Sequence, residues 1–346
     1  MKILAWPALK NKKDNPYNWL LYSNIKKLKN IEIEEFNISR ALLRRYNLIH
    51  MHWPEYFLNR KNNLEVSFKL IAFCTLISLL KLKGTKIIWT AHNSSSHEKN
   101  HLLLESLFWK YLIKNLDGYI TLTQSGKEEL IERYPLIKRI KQFTIPHGDY
   151  RDEYKDTISK EKARLLLKIK NDELMILNFG KVRGYKGILS LIREFRKINI
   201  KNALLYIVGN CQDLRLANEI QNNADYNIRF VNNFITSDKV QIYFKSADLI
   251  ILPYIEISNS GALFLALSFN KPVLVPETPT FKEIQKQVGE KWIKTYKGQI
   301  NSKIIKDNLI WINRERKGKV NLEKFNWDNI SRQTKQAYLE VISNNE

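Results

Sequence analysis

The chain predicts an α/β protein built from two Rossmann-like domains whose parallel sheets face a cleft. Three observations carry this. Its 346 residues exceed what one hydrophobic core usually supports. Short apolar runs rich in β-branched residues alternate with helical patterns, as strands alternate with covering helices in parallel sheets. The alternation lapses over one polar stretch, near residues 150–172, and then restarts. Hydrophobic residues at 44% and charged residues at 27% are ordinary for a folded globular protein and exclude wholesale disorder.

In the first half the expected strands are Ile3–Ala5, Ile31–Phe36, Leu48–His52, Lys86–Thr90, Tyr119–Leu122 and Phe143–Ile145. Helical patterns fill Trp19–Lys29, Leu64–Leu82, Leu102–Asn115 and Lys127–Arg133. After the junction, strands are expected at Met175–Phe179, Ala203–Val208, Ile228–Phe230, Leu249–Leu252 and Pro272–Val275, with helices between them including Ile188–Lys197 and Ser260–Phe269. A last helical pattern covers Trp327–Ser343. The expected domains are therefore 1–155 and 156–325, followed by a C-terminal helical segment, 326–346, that packs back toward the first domain. No short-period repeat is visible, which excludes solenoids and propellers.

The formal charge of +22 is spread evenly: residues 1–150 carry 24 Lys+Arg against 13 Asp+Glu, half of the total excess. A nucleic-acid-binding stripe would concentrate that charge, so no nucleic-acid partner is expected; a diffuse excess suits an anionic membrane surface or phosphorylated substrates. Cys74 and Cys211 stand alone in opposite halves without metal-ligand spacing, so neither a disulfide framework nor a zinc site is expected. The opening MKILAWPALK is too short in apolar residues for a signal-peptide core and reads as a first strand, so the expected location is cytoplasmic. The apolar stretch 64–83 is interrupted by Lys69 and reads as a buried helix, with an interfacial helix as the alternative.

All six histidines, His50, His52, His92, His97, His101 and His147, precede residue 150. Several follow strands, where open α/β sheets place ligand groups. His92 is the best single candidate, because Trp89-Thr90-Ala91-His92-Asn93 turns off an apolar strand into a Ser-rich loop. His50 and His52 are read as pointing to opposite faces of their strand, which argues against a shared metal, and no metal site is assigned.

In the second half, Phe179-Gly180-Lys181-Val182-Arg183-Gly184-Tyr185-Lys186-Gly187 joins a strand to a helix. Glycines allow close backbone approach, the helix start offers N–H groups, and Arg183 and Lys186 add cations: an anion site. A second such signal is Pro253-Tyr254-Ile255-Glu256-Ile257-Ser258-Asn259-Ser260-Gly261, where Asn259 or Ser260 can cap the following helix. Two anion sites after strands of one sheet favour a diphosphate ligand.

With these segments in view the chain resembles the retaining GT-B glycosyltransferases, particularly glycosyltransferase family 4 (group 1), of the bacterial polysaccharide-biosynthesis type. The resemblance runs from the His-containing strand ends through IPHG and FGKVRGYKG to SADLIILPYIEISNSGALFLALSFNKPVLVP and the last helix. It implies that the first domain binds the acceptor and the second a nucleoside-diphosphate sugar, without a further cofactor. Arg183 and Lys186 would hold the donor diphosphate beside Gly180 and the Asn259-Ser260-Gly261 turn, Glu256 would reach the sugar, and His92 would lie near the reaction centre. One departure stands out: the family often carries a second Glu eight residues after the first, and here that position is Phe264.

A leaving nucleoside diphosphate needs cations and amide dipoles near its β-phosphate, which Arg183, Lys186 and the Ser260 helix terminus supply without a metal. On the acceptor side, Trp6, His52, Trp53 and His147 join His92 as candidates for a glycan or polyprenyl-diphosphate-linked saccharide, with the protein peripheral on the inner face of the plasma membrane. Two alternatives stay open at this point: a sugar-nucleotide epimerase of similar fold, and a degenerate, non-catalytic nucleotide-sugar binder.

Overall fold

The computed structural model describes residues 1–60, 62–92, 101–198, 200, 202–255, 257, 259–312 and 318–343. The chain divides into two compact units, residues 1–148 with 324–346, and residues 149–323.

The first unit runs β1 (Lys2–Trp6), α1 (Tyr17–Ile25), β2 (Glu32–Glu35), α2 (Ile38–Leu43), β3 (Leu48–His52), α3 (Asn63–Leu82), β4 (Lys86–Ala91), α4 (Leu102–Asn115), β5 (Gly118–Thr121), α5 (Gln124–Arg133) and β6 (Lys141–Thr144). Its six strands pair in parallel in the order β2-β1-β3-β4-β5-β6. β3 is buried at every position and β4 at all but its first, as expected of central strands covered on both faces. Met51, Phe73, Trp89, Phe108, Trp109 and Tyr119 fill one continuous core. Local chemistry sets the helix ends: Asn62 caps α3 through the Leu64 and Glu65 amides, and Thr123 caps α5 through Gly126. Asp117 accepts from Lys81 at the end of α3 and from the Ile87 amide, tying that end to β4.

The second unit runs α6 (Lys160–Leu167), β7 (Leu174–Phe179), α7 (Ile188–Arg196), β8 (Ala203–Val208), α8 (Leu214–Asn222), β9 (Ile228–Val231), α9 (Ser237–Ser246), β10 (Leu249–Ile251), α10 (Gly261–Ser268), β11 (Val273–Pro276), α11 (Pro279–Val288), β12 (Ile293–Tyr296) and α12 (Ser302–Ile312). The strand order is β12-β11-β10-β7-β8-β9, again all parallel. The chain ends with α13 (Trp327–Ile342), whose Tyr338 reaches His50 and whose Lys335 reaches the Lys29 carbonyl in the first unit.

α2, α6, α11, α12 and β12 are absent from the sequence reading, and two of them have a clear physical reason. The polar stretch near 150–172 contains α6, a capped helix that Ser159 starts by accepting from the Lys162 amide. Its Arg164 is buried on Asp248, which also accepts from the Met175 amide, so the charges that read as a linker are partly structural. The sheet also gains an edge strand, β12, whose sequence Ile-Lys-Thr-Tyr buries only its two ends and lacks an apolar run.

Candidate active site

In the second unit the strand order reverses between β7 and β10, at the centre of the sheet. Open α/β sheets bind ligands at the carboxyl ends of strands flanking such a reversal. Both anion signals stand there: the Gly180–Gly187 loop follows β7, and the Pro253–Gly261 segment follows β10. The loops are joined directly, since the Ile255 amide donates to the Tyr185 carbonyl at 2.9 Å.

Glycines make that junction close. Gly187 has φ +67°, and a Cβ there would stand 2.1 Å from the Pro253 carbonyl oxygen. Gly209, after β8, has φ +147°, and a Cβ would stand 2.0 Å from the Gly180 oxygen. Neither position accepts a side chain without moving backbone. At Gly180, φ +120°, the absent Cβ leaves room for the Lys186 ammonium, 3.4 Å from where it would stand. Burial, then the cations of Arg183 and Lys181, bring the Lys186 pKa down to about 8. Arg183 is exposed and reaches Gln212 at 3.5 Å. Across the junction, Ser260 Oγ caps α10 by accepting from the Leu263 amide at 3.2 Å, and the Tyr254 hydroxyl lies 2.8 Å from that oxygen. Crowded cations, a flexible-φ loop and a helix N-terminus together form a cradle for a polyanion.

In the first unit the strand order reverses between β1 and β3. Trp6 ends β1 and His52 ends β3. Around His52 lies a buried cluster: His52 Nδ1 is 2.9 Å from His92 Nε2, and His52 Nε2 is 2.7 Å from the Tyr22 hydroxyl. The Tyr338 hydroxyl lies 2.6 Å from His50 Nδ1. His50 Nε2 in turn meets Thr90 Oγ1 at 2.7 Å. Tyr17 packs its ring against His92, His147 and Trp327, and Trp53, held at φ 49°, stacks on His92 at 4.0 Å.

Burial holds all four rings neutral: His50 is pushed down to about 3, His147 to about 4, and His52 and His92 well below the usual range. A neutral imidazole has one donor and one acceptor nitrogen. Both nitrogens of His50 and of His52 are engaged, and the tautomers of His52 and His92 are coupled through their shared hydrogen bond. The site therefore offers a neutral imidazole, His92, whose protonation pattern is set by His52 and Tyr22.

Comparison with known proteins bears on both halves. Residues 173–299 match the family described as Glycosyl transferases group 1. A GDP-mannose:glycolipid 4-beta-D-mannosyltransferase of Xanthomonas campestris pv. campestris is 27% identical over 96% of this chain and 90% of its own length. An uncharacterized glycosyltransferase of Methanocaldococcus jannaschii is also 27% identical, over 85% of this chain and 75% of its own. The chain is a glycosyltransferase by class. Among solved structures, the Anabaena protein HepE in complex with UDP-glucose aligns over 99% of this chain and 98% of its own, with TM-score 0.66 at 13% identity. Sucrose-phosphate synthase of Thermosynechococcus elongatus aligns over 86% and 74%, with TM-score 0.62 at 17% identity. These likenesses show the GT-B fold.

In this transferase the candidate residues fall into three groups. Gly180, Lys186, Arg183, Ser260 and Gly261 stand on the two joined loops or at the start of α10, with Asn259 beside the cap. Glu256 lies outside the described residues, as does His97. Phe264, at the position of the missing second Glu, is buried within α10. His52, Trp53, His92 and His147 share the histidine cluster, whereas Trp6 stacks on Phe36 at 4.1 Å and packs toward Phe73.

One reading is corrected: His50 and His52 lie on the same face of β3, their ring centroids 4.2 Å apart, because residues two apart on a strand share a face. Their nitrogens are turned to Tyr22, His92, Tyr338 and Thr90. Missed from the sequence were Gly209 as a close-approach glycine, the packing of Gly187 on the Pro253 carbonyl, and Tyr17, Tyr22, Trp327 and Tyr338 as partners of the histidines. The glycines carried a signal, each standing between a strand and a helix; the tyrosines carried none. Gly148 of IPHG belongs here too, because a Cβ there would stand 2.3 Å from the Trp327 ring.

Proposed function

We propose that the transferase moves a hexosyl group from a nucleoside-diphosphate sugar to a glycan or lipid-linked saccharide in cell-surface polysaccharide biosynthesis, without a metal. The observation that carries this reading is the pair of joined loops after β7 and β10, which bring Lys186, Arg183 and the Gly180 turn to the same strand-order reversal as the α10 terminus. As the glycosidic bond breaks, negative charge grows on the β-phosphate, and preorganised cations and amides stabilise it without reorganising. Lys186 gains most: an ammonium crowded by burial and like charges binds a dianion partly by relief of that crowding. The HepE complex with UDP-glucose and the GDP-mannose named for the Xanthomonas relative support a nucleotide-sugar donor and supply the first two to try. The word glycolipid in the latter's name supports a lipid-linked acceptor.

Two stereochemical routes fit the residues. Retention, implied by the family resemblance, lets a donor phosphate oxygen take the acceptor proton, leaving His92 to position the sugar. A β-linked mannoside, as named for the Xanthomonas relative, forms from an α-configured donor only by inversion, and then the acceptor hydroxyl needs a base on the opposite side. In that second route the neutral His92 ring, paired with His52 and through it with Tyr22, is the candidate base, weakened by the burial that lowers its pKa. Supplying GDP-mannose or UDP-glucose with a membrane lipid extract, and reading the anomeric configuration of any product by NMR, decides among the routes. Donor consumption without transfer to any acceptor, or release of an epimerised sugar nucleotide, contradicts the proposal.

A further inference from the structure

α3 is long and apolar enough to cross a membrane by length and composition, yet Val66, Leu70, Phe73, Ile77 and Leu80 are buried in the first unit's core. It belongs to the fold, and its opposite side is apolar as well. Leu64, Phe68, Ile71, Thr75, Leu79 and Leu82 follow one another at helical spacing along the exposed face, with Leu64 and Phe68 each 80% exposed and Leu82 84%. α4 packs beside it, joined through Tyr111, which donates to the Cys74 carbonyl and meets Ser78 at 2.6 Å. It adds exposed Leu103 and Leu107, then exposed Lys110 and Lys114, on one face. A stripe about 30 Å long without a protein partner exceeds what soluble surfaces usually leave bare.

The cations are placed at one end. Both helices run against the parallel strands, so their carboxyl ends lie at the edge where the strands begin. There a cavity of about 530 Å³ is lined by Lys2, Arg45, Lys83 and Lys86, and among the described residues no acidic one lines it. Lys2 and Lys86 have carboxylates within reach, Glu32 at 3.6 Å and Asp117 at 3.4 Å, and Lys83 donates to the Ala41 and Leu42 carbonyls. Together with Lys110 and Lys114, toward the carboxyl end of α4, they make the carboxyl-end side of the two helices basic.

We propose that the outer surface of α3 and α4, with this basic side, docks the first unit on a bilayer containing anionic phospholipid. Apolar side chains enter the interface while lysines meet headgroup phosphates, and each contribution is of the kind that interfacial helices use. A second copy is the weaker occupant, because a two-fold contact would set one basic side against another in a protein of net charge +22. The proposal deepens the lipid-linked acceptor reading and rests on it for its purpose.

Flotation of the full chain with vesicles tests it, without donor or acceptor, so that a failed docking surface and a failed acceptor assignment give different results. The chain is expected to float with phosphatidylcholine/phosphatidylglycerol vesicles, less with phosphatidylcholine alone, and less as salt rises. Lys110→Gln with Lys114→Gln should lower the partition coefficient about thirtyfold, a factor of about five for each near-surface lysine. Phe68→Ser with Ile71→Ser should lower it about tenfold, for the loss of buried apolar area. Both double variants should keep the wild-type melting curve and calorimetric binding of the nucleotide sugar. Wild-type protein that stays with the soluble fraction, or variants that float as it does, overturns the proposal. A wild-type dimer that Phe68→Ser dissociates, with no flotation, also overturns it and assigns the surface to a second copy.

Discussion

Lys186 combines cost and use in one side chain. Burial and the Arg183 and Lys181 charges lower its pKa to about 8 from an ordinary 10.5, so between those values the unfolded chain binds the proton and the native one does not. Stability therefore rises with pH across that window, and below it the folded protein carries the full cost of the charge. Lys186→Met should raise the melting temperature, by about 2–4 °C for each kcal/mol recovered, while weakening donor binding. In wild type, donor affinity should fall as pH rises past about 8, and calorimetry in buffers of different ionisation enthalpy should show proton uptake on binding there. The histidines act in the same direction at lower pH. Each of the four has a folded pKa below the usual 6.5, so the native state refuses protons that the unfolded chain accepts, and stability falls as pH drops below about 6.5. Glu55, raised to about 7 by burial, offsets one of them. The net slope is roughly 4 kcal/mol per pH unit, so urea unfolding midpoints should fall steeply between pH 6 and 5, and a flat profile would show that the rings are not buried neutral. None of this was legible in the sequence: His50 and Tyr338 are 288 residues apart, and no local pattern announces their bond.

At the scale of elements, the loop between β7 and α7 is shaped by contacts that a methyl group would break. Gly187→Ala places a Cβ at positive φ against the Pro253 carbonyl, so the two loops must separate. The expected outcome is a loss of about 1–3 kcal/mol in denaturant unfolding and at least about tenfold weaker donor binding, because the Lys186 side chain leaves the Gly180 hollow. Unchanged binding would mean that the loops need not touch. Elements with apolar runs were readable: every strand of the first sheet overlaps a segment read as a strand from the sequence. β12 was not, since Lys294 and Thr295 occupy its middle, and α6 was hidden because its cap and its buried Arg164 are polar. The same-face placement of His50 and His52 was open to sequence reasoning from strand periodicity alone, which puts residues two apart on one side.

For the molecule as a whole, alternation of strand and helix patterns with one lapse was enough to anticipate two parallel sheets, because a parallel strand pair requires a covering crossover and so writes its helices into the sequence. What the patterns did not contain was strand order. The reversals between β1 and β3 and between β7 and β10 set where ligands approach, and they explain why His52, the Gly180 turn and the Ser260 cap stand at strand ends beside a reversal. The central claim is that the second reversal holds a nucleoside diphosphate. Calorimetric titration of GDP-mannose and UDP-glucose into wild type and Arg183→Ala tests it most directly. Saturable binding of at least one donor, weakened at least about tenfold in a variant that melts like wild type, is the predicted result. Absence of binding to either donor, or equal binding by the variant, would contradict it.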